Sequence, residues 1–301
     1  MPAGPLTEPM HPDHDYLQTF HRAHSALNWE SHRAHELAIF CTFAVPDIAA
    51  ILARSGEFEA RGQRRYDDTV ALLREIARSG PDSPHGREAI SHLNRIHRPY
   101  GISGEDLRYV LATFVVVPVE WTRRYGWRDL TADEITATVT YYQAVGRLMG
   151  IRQIPRDYAD FARFLDAYER EHRSYSEAGR RLAASLIEVM AAWFPRPLRP
   201  LARSCVTAAL GRPLRQALGL RQPSGLIRAG VHAALWCRAW LLRLFPPLRR
   251  RPKNQRGLRT YPCGYALSEL GPVGAREHDC GHAGRGGIAS ASSCRTNGQT
   301  G

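Results

Sequence analysis

Five side chains in the first third of the chain have the types and spacing for chemistry. His97 lies seven residues after Ile90 and four after Leu93, so a helix through this stretch puts the imidazole on its apolar face. A neutral ring nitrogen on such a face can ligate a buried iron; it can equally be a core histidine with one backbone partner. Arg65 and Thr69 are four residues apart and face the same way on a helix. A guanidinium beside a hydroxyl can hold a propionate or orient an oxygen species, while a plain surface helix start would use the same residues. Asp67 and Asp68 sit between them, where acidic groups suit the first turn of a helix.

Other motifs are absent or weak. No GxGxxG follows a strand pattern, and there is no Walker loop, GxSxG elbow or HExxH. The six cysteines show no CxxC spacing, which argues against a zinc ribbon, and they are too few for a disulfide scaffold. His278, Cys280 and His282 are metal-ligand types, but they fall in a stretch with no apolar shell to orient them and are read as incidental. The histidines at 11, 14, 21, 24, 32 and 35 are read as solvated side chains of a polar helix.

The elements that position these residues read as helices. A polar helix is expected over 14–36, followed by an apolar one over 36–55 that Pro46 kinks or restarts. A helix over 64–79 is stopped by Gly80-Pro81; the next is capped by Ser83, has Pro84 at its first position, and ends near Arg98. Ser103 and Asp106 resemble a capping box opening a helix to about Val117. The run Phe114-Val115-Val116-Val117 also suits a strand, but the capped start and the helical neighbours favour helix. Thr131 and Glu134 make a fuller capping box for a helix to about Met149, and Asp157 starts one that reaches His172. No alternating strand pattern recurs. The expected fold is all-α, a single large helical domain over 13–272, with a flexible lead-in at 1–12 and a disordered Gly/Ser-rich tail at 273–301.

The chain has 301 residues, 44% of them hydrophobic, and a net charge of +12. The charge is uneven. Between 191 and 268 there are fourteen arginines, one lysine and no acid, so the rest of the chain is slightly acidic. Arg228, Arg238, Arg243 and Arg249 to Arg251 flank Trp236, Trp240 and Phe245. Segment 228–251 therefore reads either as a basic amphipathic helix resting peripherally on anionic lipid or as a core helix with solvated arginines. Interleaved bulky apolar residues and prolines argue against a nucleic-acid partner, and none is expected. No apolar leader is read in 1–30 and no uncharged stretch reaches bilayer-spanning length, so a cytoplasmic location, peripheral to a membrane at most, is expected.

Several motifs in order resemble one family. They are Arg65-Tyr-Asp-Asp-Thr69, His92-Leu-Asn-Arg-Ile-His97-Arg-Pro-Tyr-Gly-Ile102, Glu120-Trp-Thr-Arg-Arg-Tyr-Gly-Trp127, Gly146-Arg-Leu-Met-Gly-Ile-Arg-Gln-Ile-Pro155 and Tyr261-Pro-Cys-Gly-Tyr-Ala-Leu-Ser-Glu-Leu-Gly-Pro272. This wording resembles the MpaB/rubber-oxygenase family over about 35–272. The resemblance implies a helical haem b oxygenase that takes dioxygen and a hydrophobic, isoprenoid- or lipid-like substrate and cleaves a C=C bond. It implies that His97 is the iron ligand and that Arg65 and Thr69 lie on the opposite, reactive side of a haem pocket between helices; Asp68 beside them reads as a catalytic acid or base or as the partner of a nearby arginine. Two positions depart from parts of the family: Asp68 stands where the rubber-cleaving branch has lysine, and Leu111-Ala112-Thr113 stands where many bacterial relatives have His-Ala-Thr. A non-catalytic helical protein that binds lipid or isoprenoid at a membrane surface is the alternative function.

Overall fold

The computed structural model describes residues 12–245 and 258–272. The expectations for the lead-in before Pro12, for His278 to His282, for Arg249 to Arg251 and for the tail 273–301 lie outside the described residues.

Twelve α-helices order the described chain: α1 (Pro12–Ala26), α2 (Asn28–Phe43), α3 (Pro46–Arg54), α4 (Glu57–Ser79), α5 (Pro84–His97), α6 (Gly104–Tyr125), α7 (Ala132–Leu148), α8 (Tyr158–His172), α9 (Glu177–Ala191), α10 (Arg199–Ala209), α11 (Arg212–Ala217) and α12 (Gly225–Leu244). No β-strand is present among the described residues, only an isolated bridge between Leu258 and Tyr261. The fold is all-α, as the periodicity predicts.

Local chemistry sets many of the boundaries. Ser83 Oγ accepts from the Gly86 N–H at 2.9 Å, with Pro84 in the first turn of α5. Thr131 and Glu134 form both halves of the expected capping box. Ser103 caps α6 by accepting from Asp106 N–H at 3.0 Å, but the Asp106 carboxylate does not return the bond; it accepts from Tyr168 of α8 instead. Tertiary pairing wins there over the local box.

Three boundaries differ from the periodicity reading. The helix expected over 14–36 is two, broken at Leu27, whose side chain is buried at the bend. Helix α4 begins at Glu57 and not at 64, and its backbone is kinked at Arg61. Helix α6 runs through Pro118 to Tyr125. Proline removes one helical donor, yet Val119, Trp121, Thr122 and Tyr125 continue the buried face of α6, which packs along α2. Burying four further side chains outweighs one missing hydrogen bond.

The long central helices α2 and α6 pack together, with α7 on α1 and α8 on α6. One apolar core fills the space among α1, α5, α6, α7 and α8 (Phe20, Ile90, Tyr109, Val115, Phe161), and a second lies where α9 meets α2, α3 and α4. Among the described residues no single helix is long and apolar enough to cross a membrane; α2 and α3 together have the length, but they are bent by 97° to one another. The final described segment, 258–272, is non-helical apart from one short turn at Leu267–Glu269, and it lies across α4 and α5.

Candidate functional site

A cavity opens between α2, α3 and α4 on one side and α5, α6 and α7 on the other, with Gly271 and Pro272 of segment 258–272 also lining it. The space between these walls, counted together with its open mouth, is about 1380 Å³. The wall is almost wholly apolar: Phe43, Leu72, Leu93, Leu111 and Phe114 are typical. Four polar side chains that the sequence singles out line this same cavity: Arg65, Asp68, Thr69 and His97. They come from two helices, α4 and α5, that pack side by side.

His97 is the last residue of α5. Ile90 and Leu93 do share its face, Ile90 in the core and Leu93 on the cavity wall. Its Nδ1 is buried and has no hydrogen-bond partner. A buried polar atom without a partner is rare and costly in a folded protein. Burial, helped by the positive charge of Arg65, pulls the imidazole down to about 4. The ring is therefore neutral at physiological pH, the form that ligates a metal. Among the described residues no group of three or more His, Cys, Asp or Glu gathers to hold a bare ion; the cavity offers one imidazole.

The guanidinium of Arg65 donates to Thr69 Oγ1, and the Thr69 hydroxyl donates to the Arg65 carbonyl at 3.0 Å. The hydroxyl's proton is thus committed to Arg65. The Arg65 head also lies 5.3 Å from the Phe58 ring centre, within cation–π range. Burial lowers the Arg65 pKa and the nearby Asp68 charge opposes that shift. A guanidinium keeps its proton under such conditions, so the cavity holds a fixed cation with several N–H donors.

Asp68 is buried and doubly engaged. Its Oδ1 accepts from the Tyr261 hydroxyl at 2.5 Å, and its Oδ2 accepts from the Gly271 N–H at 3.2 Å. Burial lifts its pKa, against the pull of those two bonds and of Arg65 and Arg64. Neighbouring Asp67 accepts from both Thr260 N–H, 2.8 Å, and Thr260 Oγ1, 2.6 Å. Glu75, two turns on, accepts from Tyr265 at 2.9 Å. On α5, the His92 ring donates to the Leu270 carbonyl at 2.9 Å. Segment 258–272 is therefore strapped onto α4 by three carboxylates and onto α5 by one imidazole. Gly271 fits only as glycine: its φ is +109°, and a Cβ would meet Ile96 Cδ1 at 2.8 Å.

These strap contacts are not legible in a local reading, since Thr260, Tyr261 and Tyr265 carry no periodic signal and their partners are nearly 200 residues away. A second polar cluster was also hidden among the N-terminal histidines. His35 donates to the Ser31 carbonyl at 2.6 Å and accepts from the Tyr142 hydroxyl at 2.9 Å; Tyr142 lines the cavity. His32 contacts Tyr66, whose hydroxyl donates to buried Glu36 at 2.7 Å. His35 is an interior group, and His32, though partly exposed, is tied to Tyr66; neither is the freely solvated side chain expected from a polar helix.

Residues 34–240 match the catalytic-domain family described as ER-bound oxygenase mpaB/B'/Rubber oxygenase. The ER-bound oxygenase mpaB' of Penicillium brevicompactum is 27% identical over 232 residues, covering 71% of this chain and 55% of that protein. The ER-bound oxygenase mpaB of Penicillium roqueforti (strain FM164) is 32% identical over 125 residues, covering 40% of this chain and 42% of that protein. The matched region spans about half the length of these relatives or less. The family match runs through every helix that lines the cavity, and on that ground the chain belongs to the mpaB/rubber-oxygenase catalytic-domain family.

Proposed function

We propose that this domain is a haem b-dependent oxygenase that oxidises a hydrophobic, isoprenoid- or lipid-like substrate at a C=C bond. The observation that carries the reading is the buried, partnerless Nδ1 of a neutral His97 in an apolar cavity that it shares with Arg65. A nitrogen left without a partner inside a protein fits a missing ligand bond, and the apolar lining around it suits a flat, greasy macrocycle. His97 would hold the iron. A bound haem supplies the dioxygen chemistry; the protein supplies position, dryness and charge.

Each polar residue then has a task. Arg65 presents N–H donors to negative charge, either of a propionate or of the reacting oxygen, and needs no reorganisation because Thr69 and Phe58 already hold it. Thr69 acts through Arg65, since the proton of its hydroxyl is spent on that residue. Asp68 has little freedom to act as a mobile base: it balances the Arg65 charge and keeps the strap closed. The apolar wall admits an alkene and excludes water, which strengthens the field of Arg65 inside.

The test is haem content. Purified protein supplied with haem is expected to give a pyridine haemochrome spectrum at about one haem per chain, and His97→Ala is expected to lose it, with partial rescue by free imidazole. A protein with no haem band after reconstitution, or a His97→Ala variant with full haem, overturns the reading. In the first case, co-purified lipid or isoprenoid in the cavity would mark the chain as a carrier and not an enzyme.

A further inference from the structure

Helix α12 is built with its polarity reversed. Its arginines turn toward the protein: Arg238 donates to buried Glu30 at 2.7 Å and lies 3.8 Å from the Trp29 ring centre, and Arg243 donates to the Trp127 carbonyl at 2.8 Å. His232 meets Tyr125 at 2.8 Å on the same inner side. The outward side is apolar. Leu226 is 86% exposed, Trp236 55% and Trp240 59%, and Leu241, Leu244 and Phe245 are exposed as well. Positions 226, 229, 233, 236, 240 and 244 recur at three- and four-residue steps, so they form one stripe along a 20-residue helix, about 30 Å long. Soluble surfaces rarely leave two tryptophans and two leucines exposed in such a row.

We infer that the outward stripe of α12 inserts into the headgroup region of an anionic lipid bilayer and seats the domain on it. Two observations select lipid as the occupant. The first is charge: 191–268 contains fifteen basic residues and no acid, and the acid that α12 touches, Glu30, is buried and paired with Arg238. Exposed Arg196, Arg212 and Arg221 lie in the same acid-free region. A second copy docked on this face would bring two cationic segments together; a surface of anionic headgroups neutralises one. The second is residue type: tryptophan beside leucine, with arginine at the flank, suits the boundary between headgroup and acyl chain. The printed names of the relatives call them ER-bound without assigning a surface.

The inference is independent of the oxygenase reading. Helix α12 gives no residue to the cavity. It packs on α10 and near the C-terminal end of α6, at Tyr125, eleven residues and about 16 Å along α6 from cavity-lining Phe114. Substitutions on the stripe therefore leave the haem test untouched.

The experiment uses the full chain and vesicles of phosphatidylcholine with or without phosphatidylserine. Wild type is expected to co-sediment with the anionic vesicles, and acyl-brominated lipid is expected to quench tryptophan emission. The triple variant Trp236→Ser, Trp240→Ser, Leu244→Ser is expected to fold as judged by circular dichroism, to bind about tenfold or more weakly, and to lose the quenching. Wild type that stays in the supernatant overturns the inference. So does a variant that binds as wild type, or binding without quenching, which would be surface charge alone. A wild-type dimer in light scattering that the variant converts to monomer would also overturn it and assign the stripe to a second copy.

Discussion

The Tyr261 hydroxyl donates to Asp68 Oδ1 at 2.5 Å, joining residues 193 apart at the wall of the cavity. The pair ties the terminal strap to the helix that carries Arg65. A hydrogen bond to a buried carboxylate is worth about 1.5–3 kcal/mol, and losing one partner leaves the other to bear its desolvation. Tyr261→Phe is expected to destabilise the protein within that range and to speed amide exchange at 258–272. Asp68→Asn is expected to cost a similar amount. A double-mutant cycle should give a coupling of about 1 kcal/mol or more; additive effects would show that the contact does not hold the strap.

Thr69 and Arg65 should differ in kind. Arg65→Ala removes the only cation among the polar side chains that line the cavity in the described residues and is expected to lower turnover about 10²–10³-fold while haem stays bound. Thr69→Val keeps the cation but releases its grip, so a loss of about tenfold is expected. Oxygen uptake per haem, with squalene as the unsaturated probe, measures both. Equal losses in the two variants would mean that Thr69 acts directly.

Gly86 positions the helix that presents His97. A Cβ there would stand 1.9 Å from the Gly80 carbonyl oxygen, a backbone atom that cannot turn aside. Gly86→Ala must push the start of α5 away from Gly80 and break the Ser83 cap. A loss of about 2 kcal/mol or more is expected from overpacking plus the lost cap, read by chemical denaturation. A variant as stable as wild type would show that the turn before α5 is loose.

What the sequence tells and hides follows from the range of each interaction. The Ser83-Pro84 start, the Thr131–Glu134 box and the apolar face under His97 depend on neighbours within one or two turns, and each is legible. The run through Pro118 is not, because the packing of α6 on α2 decides it. The strap is not, because its partners lie far along the chain. The direction of α12 is the sharpest case. Periodicity gives a stripe of apolar residues and a stripe of arginines, but which one faces the protein depends on Glu30 and Trp29 of another helix. Of the site itself, spacing puts Arg65 and Thr69 on one helix face and His97 on an apolar one, but only the family resemblance gives them a shared role; the space between them is a tertiary property.

The buried histidines predict a pH dependence of stability. His24 lies tilted against Phe20 with ring centres 3.9 Å apart and donates to the Phe20 carbonyl at 3.1 Å. Burial first, then the nearby His35 and to a smaller extent His21, pull its pKa from 6.5 to about 3, against the Phe20 carbonyl bond and the Glu134 charge, which raise it. The folded protein thus refuses a proton that the unfolded chain accepts. Stability is full above pH 6.5 and is lost as pH falls from there toward about 3, by up to about 1.4 kcal/mol per pH unit for this one group. Glu36, raised by burial to about 7, works in the opposite direction over part of the same range, so the total slope is a poor readout. The difference between wild type and His24→Gln isolates the term. The variant is expected to be less stable at neutral pH, where it loses the ring contact with Phe20, and to close the gap as pH falls, by about 2 kcal/mol between pH 6.5 and about 5. Urea unfolding at several pH values measures this, and a gap that stays constant would mean that His24 takes up its proton in the folded state.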